Sequence, residues 1–138
     1  VGRGTVIPFQ CAVHPKFEVD ILENLYSVVP RPNEGAKHPK LEGETCYGYN
    51  LSEDGVKEIR ANAHLDLSYL IQFYSKIGTE PGFFLKNNFF NLLAGNKDLM
   101  FQIKEGKSME EIEKSWQADL LTFKETRKKY LLYKDFED

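Results

Sequence analysis

The stretch Thr45-Cys46-Tyr47-Gly48-Tyr49-Asn50-Leu51 decides the class of fold. Cys46, Gly48 and Asn50 alternate with Tyr47, Tyr49 and Leu51, the period of two that a half-buried strand requires. The larger residues share one face, which is the face expected to meet the core. Upstream the chain leans the same way. Thr5 to Val13 is mostly apolar or β-branched, interrupted at Pro8 and bounded by His14-Pro15, which suits a strand with an edge or bulge at the proline. Leu25 to Val29 is a second apolar run, stopped by Pro30-Arg31-Pro32. Between it and Thr45, the segment Asn33 to Gly43 has Gly, Pro, Lys and Glu without periodicity and reads as a long ordered loop. Loops of this length inside compact domains are uncommon and often functional.

Downstream the period changes to that of a helix. Leu67, Leu70, Ile71 and Tyr74 fall at i, i+3, i+4 and i+7, with Asp66 or Ser68 able to cap the start and Gly78 and Pro81-Gly82 to end it. The dense apolar cluster Phe83 to Leu93 includes a short helix closed by Gly95, and its Phe-rich part, Phe83 to Phe90, reads as core. Asn96 caps the next helix, whose inward face is Leu99, Met100 and Ile103, and Gly106 ends it. Ser108-Met109-Glu110-Glu111 is a capping box, opening a helix to about Lys128 with Ile112, Trp116, Leu120 and Phe123 along one face. Tyr130 to Tyr133 reads as a terminal strand or extended tail. The expected architecture is α+β: a small mixed or antiparallel sheet from the N-terminal half packed against about four helices from the C-terminal half. Residues 1–138 form a single domain on this reading.

Composition bounds the function. The 138 residues are 41% hydrophobic, 28% charged and 13% aromatic, which fits a globular domain with a sizeable core. Eighteen Lys and Arg against 21 Asp and Glu give a net charge of -3, without the basic surplus of a dedicated nucleic-acid binder. No run approaches the roughly 20 apolar residues of a membrane helix, so no membrane span is expected. Cys11 and Cys46 are too few for a disulfide scaffold and too far apart in sequence for a Cys-x-x-Cys motif, so two unpaired core thiols are expected. The chain opens with Val1 rather than Met and reads as a piece of something longer.

The chemistry-bearing residues form no complete catalytic set. His14, His38 and His64 lack metal-ligand spacing, and no metal or other cofactor is called for. Gly106-Lys107-Ser108 resembles the end of a phosphate loop, but Phe101 stands where the first glycine belongs. Glycoside hydrolysis needs two carboxyl groups across a sugar. Here Glu110, Glu111 and Glu113 sit in a helix's first turns, where acidic residues suit the dipole. Glu53-Asp54 falls in a turn and Glu137-Asp138 in the tail. Gly2-Arg3-Gly4-Thr5 is the one glycine-framed cation: glycines admit a ligand close to the backbone, and Arg offers a forked donor to carboxylates or sugar oxygens. Taken alone, the same string is also compatible with a solvated turn.

Specific strings carry more than periodicity. Gly2-Arg3-Gly4-Thr5 with Pro8-Phe9, His14-Pro15-Lys16-Phe17, Pro30-Arg31, Glu34-Gly35-Ala36-Lys37, Gly43 and Cys46-Tyr47-Gly48 occur in order. They continue with Phe89-Phe90-Asn91-Leu92-Leu93-Ala94-Gly95, Gly106-Lys107-Ser108, Glu110-Glu111-Ile112, Ser115-Trp116 and Arg127-Lys128-Lys129-Tyr130-Leu131-Leu132-Tyr133. Together they resemble the C-terminal portion of the exo-β-N-acetylmuramidase family, peptidoglycan-recycling glycoside hydrolases long known as a domain of unknown function, in the form found in Bacteroidetes-type bacteria. After Phe17, the segment Glu18 to Glu23 matches nothing in that pattern. The resemblance implies an upstream Rossmann-like domain with most of the catalytic apparatus as partner, a peptidoglycan fragment as substrate, and a periplasmic or cell-envelope location. It implies that this chain alone is inactive, has no catalytic residue of its own, and shapes the cleft for the terminal N-acetylmuramic acid. Arg3 is then the first substrate-binding candidate, with Thr5, His14 and Lys37, the last from the Glu34 to Lys40 loop. An accessory domain should also expose apolar surface near Val1 to Phe9. A self-sufficient muropeptide- or protein-binding module should be polar there.

Overall fold

A computed structural model of the chain describes residues 2–17, 26–52, 57, 60–61 and 64–135. Leu25, the unmatched Glu18 to Glu23, the Glu53-Asp54 turn and the Glu137-Asp138 tail lie outside the described residues. The chain packs as two compact units, Val1–Lys86 and Asn87–Asp138.

The first unit is built on three antiparallel strands: β1 (Cys11–His14), β2 (Tyr26–Val28) and β3 (Cys46–Asn50), in the order β1-β3-β2. The stretch around Gly48 is therefore the central strand, pairing Ala12 with Tyr49 on one side and Ser27 with Tyr47 on the other. Directly opposed residues of an antiparallel pair point to the same face, so Ala12 and Tyr49 share one. On that face Phe17, Phe73 and Ile77 form a buried cluster against which Ala12, Tyr49 and Phe83 pack. Phe17 and Phe73 stack with centroids 4.0 Å apart, and the Tyr49 ring meets Phe17 edge-on at 5.6 Å. Phe73 and Ile77 come from α1 (Ser68–Ile77). Asp66 accepts a hydrogen bond from the Ser68 N–H at 2.8 Å and so turns the chain into this helix. The buried stripe lies a few residues beyond the expected Leu67–Tyr74 face, whose members are only half-buried.

Two expectations about the strands are corrected. Thr5 to Gln10 is not strand but a set of turns, because Pro8 has no N–H for a ladder and the local donors bond within the segment. In β3 the small residues Cys46 and Gly48 are the buried ones, whereas Tyr47 is exposed and Tyr49 half-buried. The N-terminal turn comes close enough on the Cys11 side that only small side chains fit there, as Gly2 lies directly against the Cys11 sulfur. Cys11 and Cys46 are free, buried thiols, as expected. Burial pushes both thiol pKa values up from 9.0; for Cys46 the nearby Glu44 carboxylate adds to the rise, and for Cys11 a hydrogen bond with Thr5 offsets part of it.

The second unit is helical: α2 (Phe89–Ala94), α3 (Asp98–Lys104) and α4 (Met109–Lys128). The domain is thus α+β, with four helices among the described residues. The capping box is present in full: the Ser108 hydroxyl accepts from the Glu111 N–H at 3.2 Å, and Glu111 accepts from the Ser108 N–H at 2.8 Å. These bonds hold the Glu111 carboxyl below its ordinary pKa. Asn96 accepts from the Leu99 N–H at 3.0 Å, and Gly106, at φ +75°, closes α3. Ile103 and Ile112 are fully buried. The apolar line of α4 emerges into solvent further along, with Phe123 59% exposed. Tyr130 to Tyr133 form no strand, and their side chains are exposed. A bidentate ion pair from Arg127 to the buried Asp135, at 2.9 and 2.6 Å, anchors the chain just beyond them.

Candidate functional site

The Gly2-Arg3-Gly4-Thr5 string is a rigid mount. The Thr5 N–H and hydroxyl both donate to the Gly2 carbonyl, at 3.1 and 2.6 Å, and the same hydroxyl accepts from the Ile7 N–H at 3.2 Å. Gly2 and Gly4 adopt φ of +68° and +79°, which side-chain-bearing residues rarely adopt. A Cβ on Gly2 would lie 2.9 Å from the Ile7 carbonyl, and one on Gly4 would lie 2.5 Å from the Pro39 ring. The Gly4 carbonyl also accepts from the Arg31 N–H at 2.8 Å. Arg3 is therefore held out between two pinned glycines, and the 30–43 loop is fastened to the same turn.

That loop keeps its shape by short-range bonds. Asn33 and Ala36 exchange backbone hydrogen bonds at 3.0 and 3.1 Å, and the Gly43 N–H donates to the Pro30 carbonyl at 3.0 Å. Pro39, packed on Gly4, is buried, and its neighbours His38 and Lys40 are exposed. A cavity of about 480 Å³ opens between turn, loop and sheet, and Arg3, Thr5, His14, His38, Lys40 and Cys46 are among its lining. His14 ends β1; its Nδ1 accepts from the Lys16 N–H at 3.2 Å, which leaves Nε2 to donate.

Three of the four expected binding residues, Arg3, Thr5 and His14, thus line one cavity. Lys37 is exposed and is not in its wall. His38 and Lys40 are, and only their position either side of the docked Pro39 would have singled them out within the loop. The lining holds a guanidinium, an ammonium group and two imidazoles and no carboxylate. Among the described residues, none of Arg3, His38 and Lys40 is held in an ion pair. Such a cavity suits an anion, to which each charge-assisted hydrogen bond contributes about 1.5–3 kcal/mol. It offers no carboxyl for general acid catalysis. Burial pushes its Cys46 thiol up from 9.0, away from the thiolate form that a nucleophile needs.

A second cavity, of about 330 Å³, also includes Arg3 in its wall, with Gly4, Pro8, Phe9, Asn33 and Ala36. Phe9 has φ +63°, a conformation that costs an L-residue about 1–2 kcal/mol, and its side chain is 81% exposed.

Fold and cavity together define a small α+β domain with an anion-complementary pocket built on a glycine-framed arginine. Residues 1–133 match the family described as exo-beta-N-acetylmuramidase NamZ, C-terminal, and the chain belongs to that family. It is 28% identical over 142 residues to the peptidoglycan beta-N-acetylmuramidase NamZ of Bacillus subtilis (strain 168), covering 96% of this chain and 33% of that protein. The crystal structure of a DUF1343 family protein from Bacteroides fragilis superposes with a TM-score of 0.80 at 39% identity, over 97% of this chain and 36% of the other. The chain spans about a third of the length of these relatives. Among the described residues no helix is long and apolar enough to cross a membrane.

Proposed function

We propose that the chain serves as the C-terminal domain of a peptidoglycan exo-β-N-acetylmuramidase and forms one wall of the cleft that receives the terminal N-acetylmuramic acid. The observation that carries this reading is the carboxylate-free cavity gathering Arg3, His14, His38 and Lys40 in a chain of this family. N-acetylmuramic acid differs from N-acetylglucosamine by a lactyl carboxylate, and a guanidinium flanked by imidazole and ammonium donors distinguishes the two sugars by that group. Thr5 holds the Arg3 turn, its hydroxyl already engaged at Gly2 and Ile7. Lys37, exposed on the same loop, adds positive charge at longer range. The reacting carboxyl groups come from an upstream domain of the same polypeptide, and the proposed substrate class supports a location in the cell envelope or periplasm.

Exposed apolar side chains on the N-terminal turn support the accessory reading over a self-sufficient binding module: Val6 is 91% exposed and Phe9 81%. The test is Arg3→Ala in the full-length polypeptide, assayed on matched aryl glycosides of the two sugars. Losing one charge-assisted contact lowers kcat/KM for the muramic acid glycoside roughly 10- to 100-fold and leaves the glucosamine glycoside within about twofold. Unchanged kcat and KM on the muramic acid glycoside would overturn the assignment.

A further inference from the structure

We propose that the far end of α4 and the loop after it, Phe123 to Tyr133, form a seat on which the part of the polypeptide preceding residue 1 docks. This rests on the proposed function, in which the chain is the C-terminal third of a longer polypeptide. Ile112, Trp116, Phe123 and Tyr130 fall at i, i+4, i+11 and i+18, one line along the helix and its last turn. Cover is lost along that line: Ile112 is fully buried, Trp116 half-buried, and Phe123 and Tyr130 are exposed. The loop beyond is nevertheless held in one shape. The Tyr130 N–H donates to the Arg127 carbonyl at 2.9 Å, and the Arg127 guanidinium grips both carboxylate oxygens of Asp135, whose side chain is buried. Desolvation offsets much of the attraction in such a pair, so its main effect here is to close residues 127–135 into a loop. Tyr130, Leu132 and Tyr133, carried on that loop, are 77%, 90% and 86% exposed. A fixed loop that gives its largest apolar side chains to solvent is ordered in advance for a contact outside residues 1–138.

The make-up of the patch and the length of the polypeptide say what covers it. Two phenols, apolar in body and polar at the tip, with Lys129 and Lys134 exposed beside them, have the composition of a protein interface with a charged rim. The chain spans 33% of one relative and 36% of the other, and the family it matches is a C-terminal one. On the proposed function the remaining two thirds is covalently attached ahead of residue 1. An attached partner acts at an effective concentration of order millimolar over a short flexible linker, far above that of a free second copy. The preceding part of the polypeptide therefore takes this face, with acidic side chains opposite Lys129 and Lys134.

The experiment uses the full-length polypeptide with Leu132→Cys, Tyr133→Cys or Gln117→Cys, each labelled with a maleimide in lipid-free buffer and read site by site by peptide mass spectrometry. Gln117, exposed on α4 away from the apolar line, is the reference. Leu132→Cys and Tyr133→Cys should label at least roughly tenfold more slowly than Gln117→Cys, and dilution should not change the ratio. Labelling of Leu132→Cys and Tyr133→Cys as fast as that of Gln117→Cys would overturn the proposal. Protection that disappears on dilution would assign the face to a second copy and overturn it equally. Within residues 1–138 alone Leu132 touches little, so truncating it there leaves stability nearly unchanged, and only the full-length polypeptide reads the contact. A full-length polypeptide that cleaves no muramic acid glycoside yet protects both sites would refute the hydrolase reading and support the docking. One that cleaves it while both sites label freely would refute the docking alone.

Discussion

Replacing Gly4 by alanine should destabilise the first unit of the chain. Two effects add. The φ of +79° costs an L-residue about 1–2 kcal/mol. The new Cβ would also meet the Pro39 ring at 2.5 and 2.7 Å and the Arg31 carbonyl at 2.9 Å, backbone and ring atoms that cannot swing aside. Overpacking of this kind costs about 1–3 kcal/mol, so the total is roughly 2–5 kcal/mol. For a chain of this size each kcal/mol lowers Tm by about 3–5 °C, so Gly4→Ala should melt roughly 6–25 °C lower. Gly43 is the internal control, because it has the same φ of +79° and a Cβ added there would meet nothing within 4 Å. Gly43→Ala should lose only the backbone part, about 1–2 kcal/mol. Thermal unfolding followed by circular dichroism on both variants separates the two effects. A Gly4→Ala loss no larger than that of Gly43→Ala would refute the claim that turn and loop are locked together at Pro39.

Other outcomes follow from the same packing. Because burial raises the Cys11 and Cys46 pKa values, their contribution to stability is fully present below the ordinary thiol value of 9.0 and is lost as pH rises beyond it; urea midpoints should fall at alkaline pH, and Cys46→Ala should flatten that fall. Ser108→Ala should cost about 1 kcal/mol at neutral pH. Glu111, with its pKa lowered from 4.5, stabilises the fold above that value and less as pH falls through its folded pKa, so Glu111→Gln should remove part of the acid-side slope of the urea midpoints. Phe17→Ala should cost about 3–5 kcal/mol, since its side chain is 1% exposed and stacked on Phe73, whereas Leu132→Ala, at 90% exposed, should change stability by less than about 0.5 kcal/mol.

What could be read from the sequence was whatever its causes held within a few residues. The capping box is legible because Ser108 and Glu111 satisfy each other's backbone three positions apart. The central strand, the Asn96 and Gly106 ends of α3 and the extent of α4 are legible for the same reason. The buried face of β3 was not, because it depends on the close approach of Gly2 to Cys11, from a segment more than forty residues away in sequence. The turns at Thr5 to Gln10 are not legible, because apolar residues there read as strand while the Thr5 hydroxyl and Pro8 take the backbone another way. In the site, Arg3 announced itself by its glycines. His38 and Lys40 did not, since a loop without periodicity gives no sign of which residues turn toward Arg3; docking of Pro39 on Gly4 decides it.

On the proposed function, this domain's basic pocket recognises the carboxylate of N-acetylmuramic acid. Titrating the full-length polypeptide with that sugar and with N-acetylglucosamine, while following the imidazole resonances of His14 and His38, tests this recognition. Both imidazoles should shift with N-acetylmuramic acid, neither should with N-acetylglucosamine, and Arg3→Ala should abolish the response. Equal shifts with both sugars, or none with either, would contradict it.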